Sequence, residues 1–233
     1  KKSGLYELEQ NGTLLYAGKT PAGNITLTLR VEAKGKEKES ASFLQMQNYV
    51  IYPDGSIIME VSTTQTPKDL VIGRYGFGFT SPLGNIQYLG RGPEENYSDR
   101  YTAAFVSLNS AKVENQVSLY TKPQDMMNHE GTRWLRLKDE SGSGIAIYPV
   151  ANSLRKDESG NATMSFAALP YDWRDLNNAN HWYEVPQKDG KTHLTLSAAV
   201  LGLGGASCGP APVEEDRVSG NATFGFLIQP LEK

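Results

Sequence analysis

A single cysteine, Cys208, stands among 233 residues, so no internal disulfide can staple the chain and its fold must rest on packing. One thiol also leaves the redox character of the compartment open. No apolar stretch approaches the roughly eighteen residues of a membrane-spanning helix, and no membrane partner is expected. Basic residues number 23 against 26 acidic ones, a net charge of −3, and they are scattered, so the footprint of a nucleic-acid binder is missing. The three histidines, His129, His181 and His193, do not cluster with cysteine or carboxylates at ligand spacing, and no metal or other cofactor is expected. The chain opens on Lys1-Lys2 without a signal-type apolar region, as a piece of a longer protein would. Its compartment is left open between a bacterial periplasm or exterior and the cytoplasm.

Long runs with apolar residues at i, i+3, i+4 and i+7 are also lacking, while 23 glycines and 12 prolines punctuate the whole length. Alternation of period two takes their place. Ile25, Leu27, Leu29 and Val31 interleave with Thr26, Thr28, Arg30 and Glu32, giving a strand with one apolar face. Tyr49 to Tyr52, then Pro53-Asp54-Gly55, then Ile57, Met59 and Val61 read as a hairpin. Arg133 to Lys138, the turn 139–144 and Ile145 to Tyr148 read the same way, and Leu194, Leu196, Phe224, Phe226 and Ile228 mark later strands. Lys34 to Glu39 is expected as a solvated hairpin tip. One short helix is expected over Trp173 to Tyr183, with Leu176, Ala179 and Tyr183 on one side. Many short strands with frequent turns predict an all-β fold, a large antiparallel sandwich of sheet on sheet, as a single domain over residues 1–233.

The segment Leu89-Gly-Arg-Gly-Pro-Glu-Glu-Asn-Tyr-Ser-Asp-Arg100 follows an apolar run and concentrates a glycine-proline turn, three carboxylates and two arginines. It resembles the C-terminal, small-chain domain of family 2 glycoside hydrolases of the β-galactosidase type. Tyr120 through Pro123-Gln124-Asp125, Asn128 and Arg133-Trp134 is similar to that family's Tyr…Pro-Gln-Glu…Arg-Trp segment, with Asp125 where Glu is usual. Phe166, Ala168, Tyr171, Leu176, Ala179, His181 and Glu184 match a further stretch, and Gly202-Leu-Gly204-Gly205 with Pro210 matches a glycine-rich loop. The matches run in order over residues 49 to 230. Residues 1–48 carry fewer, at Asn11-Gly12 and Leu14-Leu15, and lack the Trp-Arg-Ala-Pro-Thr-Asp type segment. After the paired glycines such enzymes carry a Trp that stacks on the leaving-group sugar. Here the run is Ala206-Ser207-Cys208-Gly209, one residue shorter, with Cys208 at the aligned Trp place.

The resemblance implies a galactose mutarotase-like supersandwich and a parent enzyme that hydrolyses terminal β-galactosides. Retaining glycosidases need two carboxyl groups about 5–5.5 Å apart. By resemblance that pair lies in a separate catalytic barrel, which makes the rest of the parent hydrolase the expected partner, and no catalytic residue is expected in this chain. Glu94, Glu95 and Asp99 are read as a structural network, since adjacent carboxylates in a strand face opposite ways and Arg91 and Arg100 are natural ion-pair partners. Sugars present apolar C–H faces to aromatic rings and hydroxyls to amides and charges. Tyr97, Tyr101, Tyr171, Trp173 and Trp182 lie in or beside polar loops and suit that role. Arg91, Glu95, Asn96, Asp99, Arg100, His181, Glu184, Ser207 and Cys208 are the candidate carbohydrate-facing residues.

Two other classes fit the residues. One is an autonomous carbohydrate-binding module. The other is an aldose epimerase or mutarotase-like enzyme using His181 and Glu184, whose spacing of three sets both on one side of a helical turn. Either leaves room for a homo-oligomer. Five Asn-x-Ser/Thr triplets, at Asn11, Asn24, Asn96, Asn161 and Asn221, are read as chance matches in a polar chain.

Overall fold

The computed structural model describes residues 4–37, 39–150, 153–204 and 210–232. Fourteen strands are laid down in chain order: β1 (Leu8–Lys19), β2 (Ile25–Gly35), β3 (Ser42–Ile51), β4 (Ile57–Thr66), β5 (Arg74–Ser81), β6 (Asn85–Gly92), β7 (Phe105–Lys112), β8 (His129–Thr132), β9 (Trp134–Lys138), β10 (Gly144–Pro149), β11 (Arg155–Lys156), β12 (Ala162–Leu169), β13 (Thr192–Val200) and β14 (Ala222–Leu231). One α-helix, α1 (Trp173–Asn178), lies between β12 and β13. No helix among the described residues is long and apolar enough to cross a membrane.

The strands form two antiparallel sheets. The larger has nine strands in the order β1-β2-β3-β4-β14-β10-β9-β6-β7. The smaller runs β11-β12-β13-β5, with β8 paired to β12 beside that path. Their inner faces meet in one core, where Phe77 of β5 packs edge-on against Phe224 and Phe226 of β14, and Phe166 of β12 against Tyr88 of β6. Val61, Leu135, Leu137 and Ile147 from the large sheet and Leu194, Leu196 and Ala198 from the small one are all buried there. Removing this much aliphatic and aromatic surface from water is the main force holding the layers together. The fold is the expected all-β antiparallel sandwich.

Local chemistry sets the turns. Asp54 accepts the Ser56 N–H at 2.9 Å, and Gly55, at φ +83°, takes the left-handed position between β3 and β4. Asp139 does the same between β9 and β10, accepting the N–H groups of Ser141 at 2.8 Å and Ser143 at 3.1 Å. The first 48 residues, poor in family-like words, build β1, β2 and most of β3 and continue the nine-stranded sheet, Gln10 pairing with Ala33 and Ala33 with Phe43.

The expected helix over Trp173 to Tyr183 is shorter than its pattern. Asp172 caps α1 by accepting the Arg174 N–H at 2.7 Å, but Ala179 turns extended and closes the helix. A separate 3-10 turn, Trp182–Glu184, follows. Leu176 and Ala179 are buried as expected, whereas Tyr183 is 82% exposed because the break rotates it away. The Glu184 carboxylate causes the break, accepting the N–H groups of Asn180 at 2.7 Å and His181 at 3.3 Å that a continuous helix would have used.

Candidate functional site

The chain crosses from the small sheet to the large one at Asn128–Trp134, and the segment Leu89–Arg100 wraps this corner. β6 and β8 approach so closely that a Cβ on Gly90 would stand 2.6 Å from Thr132 Oγ1 and 2.9 Å from its Cα. Glycine is required there by contact rather than by φ. Beyond Gly92 the backbone leaves the sheet, so Glu94 and Glu95 lie in a loop and not in a strand.

Asn96, fully buried, ties the loop to the corner. Its N–H donates to the Asn128 carbonyl at 2.7 Å, and its Oδ1 accepts the Glu130 N–H at 2.8 Å. Its Nδ2 donates to the carbonyls of Arg91 and Glu94, while Asn128 Nδ2 donates back to the Asn96 carbonyl at 2.9 Å and to Glu130 Oε1 at 2.9 Å. A side chain so occupied cannot accept a glycan. Burial pushes the Glu130 carboxyl upward in pKa, against the hydrogen bond from Asn128.

Glu95 is the hub. Its side chain is only 11% exposed, and both oxygens are taken. Oε1 accepts from the Tyr120 hydroxyl and the Arg100 guanidinium, and Oε2 accepts Ser118 Oγ at 3.1 Å and the Met127 N–H at 2.8 Å. Burial alone would raise its pKa, but Tyr120, Met127, Ser118 and Arg100 together hold it below the ordinary value. Met127 adopts φ +53°, alone in the left-handed region among the described non-glycine residues, and so aims its N–H at Glu95. Arg100 pairs with Glu95 as expected. Arg91 does not take a carboxylate: its guanidinium donates to the Ala104 carbonyl at 2.9 Å and lies 4.2 Å over the Tyr101 ring.

Asp99 reaches a distant loop. Its Oδ2 accepts the Gly204 N–H at 2.7 Å, and the carboxylate sits where a Cβ on Gly202 would be, 2.4 Å from Asp99 Cγ. The glycine-rich loop is therefore seated on Leu89–Arg100. Ser207 and Cys208, the remaining candidates of that loop, lie outside the described residues.

His181 and Glu184 meet in the exposed 3-10 turn, Nδ1 to Oε1 at 3.1 Å, with the imidazole stacked on Tyr183 at 5.0 Å. Trp182 Nε1 donates to the Tyr120 carbonyl at 2.7 Å, which joins this turn to the Glu95 hub. Among the described residues no group of three or more His, Cys, Asp and Glu is placed to hold a metal ion.

The sequence that builds these elements matches a known family. The family model described as beta galactosidase small chain matches residues 7–228. The chain belongs to the beta-galactosidase small chain family. The β-galactosidase of Priestia megaterium is 31% identical over 159 residues, covering 67% of this chain and 14% of that protein. Those of Streptococcus thermophilus and Halalkalibacterium halodurans are each 30% identical, over 158 and 176 residues, covering 66% and 73% of this chain. The chain spans only 14–16% of the length of these curated relatives. An Aspergillus nidulans amine oxidase structure matches at 12% identity and a TM-score of 0.29, over 96% of this chain and 37% of that one, too loosely to carry an argument.

Within this small-chain frame the candidates fall into two joined groups, Glu95 with Arg100 and Asp99 with the glycine-rich loop, plus the His181–Glu184 turn connected through Trp182. Sequence reasoning did not single out Ser118, Asn128 or Glu130 as part of the site. Asn128-His129-Glu130 held only a weak signal, three consecutive polar residues, and the structure buries all three where the chain enters β8. Arg74 gave none, and its partner Asp125, 2.5 Å away, is 51 residues on.

Proposed function

We propose that this chain is the non-catalytic C-terminal module of a glycoside hydrolase family 2 β-galactosidase, with the galactose mutarotase-like supersandwich of that family. In this reading a catalytic barrel elsewhere in the parent cleaves terminal β-galactosides, and this module completes the rim of its sugar pocket and supports assembly. The observation that carries the reading is the seating of the glycine-rich loop on Asp99, with Gly204 N–H to Asp99 Oδ2 at 2.7 Å. Holding Gly202 and Gly204 against Asp99 sets where this part of the chain leaves the sandwich, and positioning to within about an ångström is worth large factors in rate.

The Glu95 hub supports the same division of labour. A nucleophile or acid/base must have an oxygen free for the substrate. Both Glu95 oxygens are engaged, in an arrangement suited to stiffening a loop. Cys208 at the aligned Trp place replaces an aromatic floor with a small side chain, so the leaving-group site is expected to accept bulkier or differently shaped acceptors than a stacking Trp does.

The test is Asp99→Ala in the parent enzyme. The expected result is a rise in KM for an aryl β-galactoside and a fall in kcat/KM of about tenfold or more, with the melting temperature of the module little changed. Unchanged kinetics in a folded variant would show that the loop has no part in the pocket.

A further inference from the structure

The nine-stranded sheet ends in β1 on one side and β7 on the other, and the two edges are built differently. β1 carries Glu9 and Lys19, and its register with β2 slips between Leu14 and Tyr16. Charges and an irregular register keep an exposed edge from pairing with another chain. β7 has neither over most of its length. Phe105-Val-Ser-Leu-Asn-Ser-Ala111 holds no charge, proline or glycine, and the register of β7 with β6 is unbroken over eight pairs. Among the described residues no strand lies on the far side of β7, so alternate residues turn their N–H and C=O groups outward without a ladder partner.

The side chains of β7 carry the same message as its main chain. A strand at a solvated edge is expected to be polar, yet Phe105 is 75% exposed, Leu108 62% and Val106 41%. Leu108 stands beside Leu89 of β6, and Leu89 beside Trp134 of β9. These three lie on the face turned from the core, because Tyr88 and Leu135, next to them in the chain, are buried in it. An apolar row therefore runs outward across the sheet and stops at Leu108 on the rim. Such a row, ending at an unpaired edge, marks an interface rather than a solvated margin.

We infer that β7 is the dimerisation edge of this chain, pairing antiparallel with the β7 of a second copy about a two-fold axis at Leu108. The occupant is argued from the strand's own sequence. Turned about Leu108, the strand sets Leu108 against its copy, Phe105 against Ala111, Val106 against Ser110 and Ser107 against Asn109. The larger apolar side chains thus meet small ones or each other. Lys112, the first charge, falls opposite Ala104 and not opposite its own copy, so no like charges face one another. The apolar row also continues across the axis, the Leu108 end of one copy meeting the Leu108 end of the next. β1 of another copy is a poorer occupant, since its slipped register cannot follow β7 along its length. This pairing concerns β7 alone and does not rest on the chain serving a β-galactosidase, so the two readings fail separately.

Sedimentation velocity of the full chain from about 1 to 200 µM tests it, a range that covers the dissociation constants of modest interfaces. A concentration-dependent dimer is expected. Leu108→Lys sets two ammonium groups against one another at the axis and should raise the dissociation constant about tenfold or more, while Leu14→Lys on β1 leaves it unchanged. Leu108 and Leu14 are both more than half exposed, so both variants keep the fold. Cysteines read the register once Cys208→Ser has removed the chain's single thiol. Leu108→Cys brings two thiols together at the axis, where facing Cα atoms stand about 4.5–5.5 Å apart and a disulfide fits. Val106→Cys leaves about 13 Å between the copies. Oxidation should yield a covalent dimer from the first and little from the second. A chain that stays monomeric at 200 µM overturns the inference, as does a dimer that survives Leu108→Lys, is lost with Leu14→Lys or cross-links equally through Val106→Cys. A monomeric chain whose Leu108→Cys thiol is shielded from maleimide in a monomeric parent enzyme would overturn it in favour of another module of the parent.

Discussion

Asp99 and Gly204 are joined by a hydrogen bond of 2.7 Å across 105 residues of sequence, and Gly202 leaves the space that the Asp99 carboxylate fills. This contact fixes where the glycine-rich loop leaves the sandwich. Gly202→Ala places a methyl group against the carboxylate and must displace one or the other. Amide hydrogen exchange should register it: the Gly204 N–H is expected to exchange about tenfold faster in Gly202→Ala and in Asp99→Ala, with the core strands unaffected. Equal protection in all three proteins would mean that the bond does not hold the loop.

Glu95 is predicted to be the most costly loop residue to alter. Glu95→Gln keeps the shape but turns one acceptor oxygen into a donor, setting an NH₂ group against either Tyr120 and Arg100 or Ser118 and the Met127 N–H. The Arg100 side chain is half exposed, so the ion pair itself counts for little, and most of the loss comes from the sheltered donors left without an acceptor. A loss of about 2–3 kcal/mol in chemical denaturation is expected. The folded-state pKa of Glu95 is depressed, so its contribution is present above the ordinary carboxylate value and is lost as pH falls through the folded value. Glu95→Gln should accordingly show a smaller fall in stability below about pH 4 than wild type.

His129 is buried neutral. Its Nε2 lies 3.1 Å from Gln116 Oε1, an acceptor only, and its Nδ1 lies 3.1 Å from the Tyr88 hydroxyl, so Nε2 carries the proton and Nδ1 accepts. Burial pushes its pKa down to about 4 from 6.5. The unfolded chain then takes up a proton that the folded one refuses. Stability is complete above about pH 6.5 and is lost as pH falls towards 4, by about 3 kcal/mol in all. Melting temperature measured over pH 7 to 4 should trace this slope, and His129→Gln should flatten it.

Glu130 runs the opposite way. Its carboxyl is buried and its pKa raised, so the folded state favours the neutral acid, and stability declines as pH rises through that value. Glu130→Gln keeps an acceptor for Asn128 Nδ2 without the charge. The variant should melt above wild type at pH 8 and alike at pH 4. A variant less stable at both would place the ionised carboxylate among the useful contacts of the corner.

What the sequence reveals of this molecule depends on the range of each interaction. The hairpins at Gly55 and Gly142 are legible because the turn residue, its Asx acceptor and the flanking alternation lie within a few positions. The sandwich follows from the same alternation. The helix at Trp173 is legible at its start, where Asp172 caps it, and misleading at its end, because the Glu184 carboxylate competes for N–H groups that periodicity assigns to a helix. The resemblance brings Leu89–Arg100 and the Gly202 loop to notice, and Glu95 with Arg100 is a local pair. Arg91 is the counterexample, since the carbonyl of Ala104 and the ring of Tyr101 outbid its carboxylate neighbours.

In the proposed division of labour, bond cleavage belongs to a neighbouring module whose pocket this chain shapes. The decisive measurement is the kcat/KM for a nitrophenyl β-galactoside, compared between the purified chain, the parent enzyme and the parent lacking this module. No turnover above buffer is expected from the chain alone, and a loss of about a hundredfold or more is expected in the truncated parent with its barrel still folded. Hydrolysis by the chain itself, or full activity without it, would refute that division.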